Sequence, residues 1–198
     1  MVLFLQTTHL DLVAATPLHL DAELAGPRPL GKLLGVNVPK DWPPAGLDRG
    51  VVEQFRARVV AAGSNAVGWF GWYAICRHTA LQPATLVGVG GFFGPPDAAG
   101  AVELGFAILP GFRGRGHATE MVETLVRHAL AQPGVERVVA DVRATDRASL
   151  AVLLRAGFAR LGQPAVPGLI RCERDQAGPI TADDGMEADV GQEAEEEE

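Results

Sequence analysis

The segment Arg113-Gly114-Arg115-Gly116-His117-Ala118 has the residue types of an anion site. Glycines let backbone amides approach a ligand closely, and a helix N-terminus adds unpaired amides and partial positive charge. Arg113 and Arg115 can add charge-assisted hydrogen bonds, while the amides of Gly114 to Thr119 should carry most of the binding. The expected ligand is a phosphate or pyrophosphate. Two familiar phosphate loops fit poorly. A P-loop needs Lys-Ser or Lys-Thr after its last glycine, where this chain has His117-Ala118. A dinucleotide fingerprint needs three glycines within six positions, and the core of this loop has Gly114 and Gly116. Upstream, Glu103 is the first candidate for a general base, with Gly105 beside it permitting a bulge that could re-aim the carboxylate. The alternative for Glu103 is a solvated strand charge or an ion pair with Arg137 or Arg143.

These residues need a strand before the loop and a helix after it. Val102, Leu104, Phe106 and Ile108 alternate with Glu103, Gly105, Ala107 and Leu109, a period-two strand that Pro110-Gly111 stops. After Gly116, Met121, Val122, Leu125, Val126 and Ala129 form a helical stripe. Earlier, Leu10–Ala14 reads as a strand, and Thr16-Pro17 starts a helix running to about Leu24. Pro29–Leu34 is a second helix closed by Gly35, and Asp48–Ala62 a third with Val52, Phe55, Val59 and Val60 inward. The proline-rich NVPKDWPPAGL between them is an ordered connection, with Trp42 either packed inward or lining a cleft. Gly68–Cys76 and Leu86–Phe93 read as strands, and Gly90-Gly91 marks a bulge or close packing. Beyond the central helix come a strand (Val135–Val142), a helix (Asp146–Ala156) and a hairpin of Phe158–Leu161 with Leu169–Cys172 around QPAVPG. Tyr73 is expected to pack within a strand, and Trp69 and Trp72 to belong to the core or to a cleft wall. The order predicts one α/β domain around a mixed sheet, residues 1–174.

Composition sets the limits. The 198 residues are 47% hydrophobic and carry a net charge of -7. Residues 175–198 hold ten of the 24 acids and no Lys or Arg, so the remaining 14 acids face 17 bases and the body is about +3. That body suits a polyphosphate ligand, and the acidic tail is expected to be disordered. Glycine, proline or charge interrupts every apolar run, and the N-terminus lacks a signal-peptide pattern, so no membrane partner is expected. Cys76 and Cys172 sit in no metal or redox spacing and the five histidines in no ligand spacing, which points to a reducing cytoplasm and no metal. No basic stripe with interleaved aromatics suggests nucleic acid. A monomer or a homodimer fits equally.

The loop resembles the acetyl-CoA pyrophosphate loop of the GNAT acyltransferase superfamily, Arg/Gln-x-x-Gly-x-Gly/Ala, with Arg113, Gly116 and Ala118 at its fixed positions. Ile108-Leu109-Pro110 resembles the strand end that precedes it. TDRASLAVLLRAGF (145–158) is similar to the family segment Asn-x-x-Ser ending in Gly-Phe, which helps hold the pantetheine arm; Asp146 stands in place of Asn, and Ser149 fills the serine position. With Glu-x-Gly-Phe at 103–106, the particular likeness is to the Rim-type ribosomal-protein N-terminal acetyltransferases. The resemblance implies a mixed, mostly antiparallel sheet whose central strands splay apart, flanked by helices, with acetyl-CoA between them. It places Phe106, Ala107 and Ile108 against the cofactor, with a backbone amide near Ile108 as oxyanion donor. His117 reads as a loop residue whose amide matters more than its ring.

Many members carry a Tyr four residues before the helix-exit Gly as acid for the leaving thiolate. Here that position is Leu153, and Ser149 is the substitute candidate. The implied function is acetyl transfer from acetyl-CoA directly to a primary amine, a protein N-terminus or a small molecule, without a covalent enzyme intermediate. The alternative is a catalytically silent acyl-CoA-binding module.

Overall fold

The computed structural model describes residues 3–80, 83–161 and 166–176. Among them, eight strands form one sheet: β1 (Phe4–Gln6), β2 (Leu10–Ala14), β3 (Gly71–Cys76), β4 (Thr85–Phe92), β5 (Ala101–Ile108), β6 (Arg137–Arg143), β7 (Ala159–Arg160) and β8 (Leu169–Asp175). Their spatial order is β1-β2-β3-β4-β5-β6-β8-β7. Only β5 and β6 run parallel; every other neighbouring pair is antiparallel. A parallel pair needs a crossover. Helix α4 (His117–Leu130) supplies it. The remaining helices are α1 (Pro17–Ala25), α2 (Pro27–Leu34), α3 (Arg49–Ala62) and α5 (Arg147–Arg155).

Local chemistry sets the helix ends. Thr16 caps α1 by accepting from the His19 amide, with Pro17 at the first helical position. Gly35, at φ 69°, closes α2. The Asp48 carboxylate accepts from the Val51 amide at 3.0 Å and starts α3. Side-chain alternation along the strands then divides the core in two. Leu10, Leu12, Trp72, Val87, Phe92, Leu104 and Val138 meet Met121, Val122, Leu125 and Val126 of α4 and Leu153 of α5. On the other face Tyr73, Ile75 and Leu86 meet Leu20, Leu30, Val52 and Val59 of α1–α3, with Trp42 among them.

The expected α/β fold with its mixed, mostly antiparallel sheet is the one observed, with several local corrections. The strand β1 carries no sequence signal, because three residues are too few to show a period. Val60 is 53% exposed rather than inward, since a helix turns about 100° between Val59 and its successor. Gly68 to Phe70 precede β3 in a turn, with the Trp69 amide donating to the Ala66 carbonyl at 3.0 Å. Strand β8 pairs with β7 as expected but also lies along all of β6. It runs to Asp175, one residue into the segment that composition assigned to the tail. Residues 177–198 and part of the QPAVPG turn lie outside the described residues.

The Gly90-Gly91 pair serves close packing. A Cβ on Gly90 would stand 3.0 Å from Met121 and Leu125 of α4, and one on Gly91 would stand 2.0 Å from the Phe70 carbonyl oxygen. Gly91 also holds φ at 143°. Gly91→Ala should therefore destabilise the fold by at least about 2 kcal/mol. A urea unfolding midpoint unchanged from the parent would show that this contact is not tight.

Candidate active site

The register between β5 and β6 lasts for Ala101, Val102 and Glu103, opposite Arg137, Val138 and Val139, and then ends. From Leu104 to Ile108 and from Ala140 to Arg143 the two strands have no ladder between them, although each keeps its other neighbour. The expected splay is thus present, and it begins at Glu103. A cleft of about 520 Å³ occupies the opening. It is lined by Glu103 to Ala107 of β5, Ala140 to Arg143 of β6, and Asp146 and Ser149 at the start of α5. The lining also includes Val89 to Phe93 along and just past β4, Ala45 to Leu47 of the proline-rich connection, and Val51 and Phe55 of α3.

Helix α4 begins where β5 ends. A 3-10 turn at Pro110–Phe112 leads to Gly114 and Gly116, with φ of 73° and 83°. A Cβ on either glycine would meet no atom within 4 Å. Gly116 is the N-cap, no side chain caps the helix, and the first helical bond runs from the Glu120 amide to the Gly116 carbonyl. The amides of His117, Ala118 and Thr119 therefore have no partner within the helix, as an anion site requires.

Both arginines also make contacts within the loop and the strand end before it. Arg113 donates from Nε to the Ile108 carbonyl at 2.9 Å and so fastens the loop to the strand end. Arg115 donates to the Gly111 carbonyl at 3.1 Å and lies over the Phe112 ring. His117 is a buried first residue of the helix, not a loop residue, and burial pulls its pKa below the ordinary histidine value.

Of the cleft carboxylates, Asp141 accepts two hydrogen bonds from Arg171 at 2.9 and 2.7 Å, which hold its carboxyl below the usual range. Asp146 is the N-cap of α5. It accepts from the Ser149 amide at 3.0 Å and the Ser149 hydroxyl at 2.8 Å, and these bonds lower its pKa. The Ser149 proton is thereby directed at Asp146. Glu103 has neither alternative partner that the sequence offered: Arg137 pairs with Glu173 at 3.5 Å, and Arg143 forms no ion pair among the described residues. Leu153 is fully buried in the core. Tyr73 is buried as well, and burial together with the Glu23 carboxylate beside it drives its pKa well up.

Two supporting networks escaped the sequence reading. Trp42, buried as one of its two expected placements, donates from Nε1 to Glu23 at 2.6 Å and ties the proline-rich connection to α1. Its peptide with Pro43 is cis. Near the α4 N-terminus, Glu120 accepts from the Thr7 hydroxyl, the His9 amide at 2.6 Å and the His9 ring at 2.9 Å. This joins the β1–β2 turn to the helix beneath the glycine loop. No local pattern signals a contact between residues 7–9 and 120; only folding brings them together. Among the described residues no cluster of His, Cys, Asp and Glu could hold a metal, and no helix is long and apolar enough to cross a membrane.

Burial alone would raise the Glu120 carboxyl, but the hydrogen bonds from Thr7 and His9 outweigh it and hold the group at about 2 against an ordinary 4.5. A depressed folded-state pKa stabilises the fold above pH 4.5, and the contribution disappears as pH falls from there towards 2. Glu120→Gln should cost about 1–2 kcal/mol at pH 7, the part of the shift that survives solvent screening, with the gap to the parent closing below pH 4.5. Urea titrations at several pH values would measure it, and a gap independent of pH would refute the assignment.

Residues 35–159 match the acetyltransferase (GNAT) domain family. The uncharacterized N-acetyltransferase YjdG of Bacillus subtilis is 26% identical over 157 residues, covering 79% of this chain and 90% of that protein. Two solved structures share the fold. RimL, a ribosomal L7/L12 alpha-N-protein acetyltransferase in complex with coenzyme A, is 19% identical with a TM-score of 0.59, over 87% of this chain and 98% of its own. A GnaT-family acetyltransferase from Bordetella pertussis is 20% identical with a TM-score of 0.60, over 87% of this chain and 99% of its own. With the domain match spanning well over half of the sequence, and the parted strands and open helix N-terminus where the loop motif required them, the chain belongs to the GNAT family and is an acetyltransferase.

Proposed function

We propose that this acetyltransferase moves an acetyl group from acetyl-CoA directly onto a primary amine, with Glu103 accepting the proton of the attacking nitrogen. The observation that carries the reading is the cleft that runs unbroken from Glu103 through the gap between β5 and β6 to Asp146 and Ser149. The residues present fit the cosubstrate. The uncapped amides of 117–119 and the open space over Gly114 and Gly116 suit a pyrophosphate. The gap beside Phe106, Ala107 and Ile108 suits a pantetheine arm, and RimL, whose fold this chain shares, was solved with coenzyme A.

The chemistry follows from these placements. The neutral amine attacks the thioester carbonyl carbon, the C–S bond breaks, and the amine proton passes to Glu103 directly or through one water. Backbone groups of β5 beyond Glu103 have no partner on the β6 side, so an amide near Ile108 is free to face the developing oxyanion. The thiolate leaves with a pKa near neutrality and needs little help. Ser149 remains the candidate to protonate it, although its hydroxyl already donates to Asp146. Orientation within the cleft supplies much of the acceleration.

Two measurements test this reading. Valine at Gly116 would be strained by the positive φ, so Gly116→Asn is the informative change: asparagine tolerates that backbone and its amide group would itself occupy the helix N-terminus. Calorimetric titration should show one-site acetyl-CoA binding, weakened at least about tenfold in Gly116→Asn without loss of melting temperature. Unaltered affinity in that variant would remove the loop from the site. Glu103→Gln should lower kcat by roughly a hundredfold or more while leaving acetyl-CoA affinity intact. Ser149→Ala should cost less than about tenfold. Equal kcat in the Glu103 variant and the parent would show that another group takes the proton.

A further inference from the structure

The acceptor end of the cleft sets one carboxylate beside an aromatic wall. The Phe93 amide donates to the Glu103 carbonyl at 3.0 Å, continuing a register in which Phe92 faces Leu104. Phe93 and Glu103 are therefore cross-strand neighbours on one face of the sheet. The Phe93 side chain is 46% exposed, yet its position is fixed. It lies over Gly105, where a Cβ would meet the ring at 3.1 Å. Phe55 of α3 meets it edge-on with centroids 6.2 Å apart, and Phe55 in turn packs on the buried Phe70 at 5.9 Å. Leu47 and Val51 extend the same wall. A large apolar ring held out of the core in a concave site marks a binding surface.

Charge narrows the choice of ligand. Asp141 is neutralised by Arg171, Asp146 is occupied by the N-terminus of α5, and Arg143 adds a positive charge to the cleft. Glu103 is left as the cleft carboxylate with no hydrogen bond or ion pair to its side chain among the described residues, and Arg171, paired with Asp141, acts on it only by Coulomb attraction. A polyamine would need several such groups spaced along the site. One carboxylate beside a phenyl wall fits a single amine with apolar bulk next to it.

We infer, resting on the acetyl-transfer reading above, that Phe93 and Phe55 select acceptors whose amine-bearing end carries a bulky apolar group. The same chemistry occurs at the N-terminus of a peptide beginning with phenylalanine and in a free arylalkylamine.

The test uses the full chain, acetyl-CoA and four acceptors: tetrapeptides beginning with Phe and with Ala, 2-phenylethylamine, and spermidine. The better of the two aromatic acceptors should exceed the Ala peptide and spermidine in kcat/KM by at least about tenfold, the low end of what one apolar pocket contact gives. Which aromatic acceptor leads identifies the source. Phe93→Ala, at unchanged melting temperature, should reduce that preference to below about threefold, and Phe93→Leu should keep most of it. Equal or better use of the Ala peptide or spermidine by the parent protein overturns this inference while the acetyl-transfer reading stands. No turnover of any of the four overturns it as well, and the acetyl-CoA titration then decides whether that reading falls with it.

Discussion

The separation of β5 from β6 is the constraint on which this structure depends. Two parallel strands that have begun to pair would normally continue, because ladder groups left unmade in a protein interior cost free energy. Here pairing stops after Glu103 and Val139. Each strand is held on its far side, β5 by β4 and β6 by the whole length of β8. Those outer ladders let the inner edges part without either strand unravelling. The opening therefore exposes peptide groups at the middle of a sheet, where a ligand can meet fixed dipoles.

What surrounds the opening keeps its walls in place. The crossover helix α4 buries Met121, Val122, Leu125 and Val126 completely, so its N-terminus is fixed just beyond the end of β5. Arg113 fastens the glycine loop to the last carbonyl of β5, and Glu120 anchors the first turn of the helix to the β1–β2 turn. On the side of α1–α3, the Trp42–Glu23 hydrogen bond fastens the proline-rich connection to α1. The polar residues that the mechanism does not use thus act mostly as ties. They hold a rigid slot, and binding energy need not be spent on ordering it.

Function and packing also compete for the same side chains. Asp146 and Ser149 are bound to each other at the start of α5. Arg171 gives its hydrogen bonds to Asp141, although its charge also acts on Glu103 and Glu173. Glu103 stands on the exposed side of its strand between paired charges and an aromatic wall. Its neighbour Gly105 leaves room for the Phe93 ring, not for a bulge within β5. A glycine that reads as local freedom in the sequence serves tertiary packing in the fold.

The sequence by itself determined the elements and the loop between them. Period-two and period-3.6 patterns, caps at Thr16 and Asp48, and the run from Arg113 to Ala118 are local signals, and local sterics and hydrogen bonding decide such features. The motifs around 113–118 and 145–158 carried the family for the same reason. Tertiary structure decided the rest: where β5 and β6 part, that β8 lies along β6, that Arg113 turns back to Ile108, that Val60 faces outward and His117 inward. It also decided that Phe93, Phe55 and Leu47 converge on Glu103 from three separate segments. These features depend on which surfaces meet across tens of residues, and no short window contains that information.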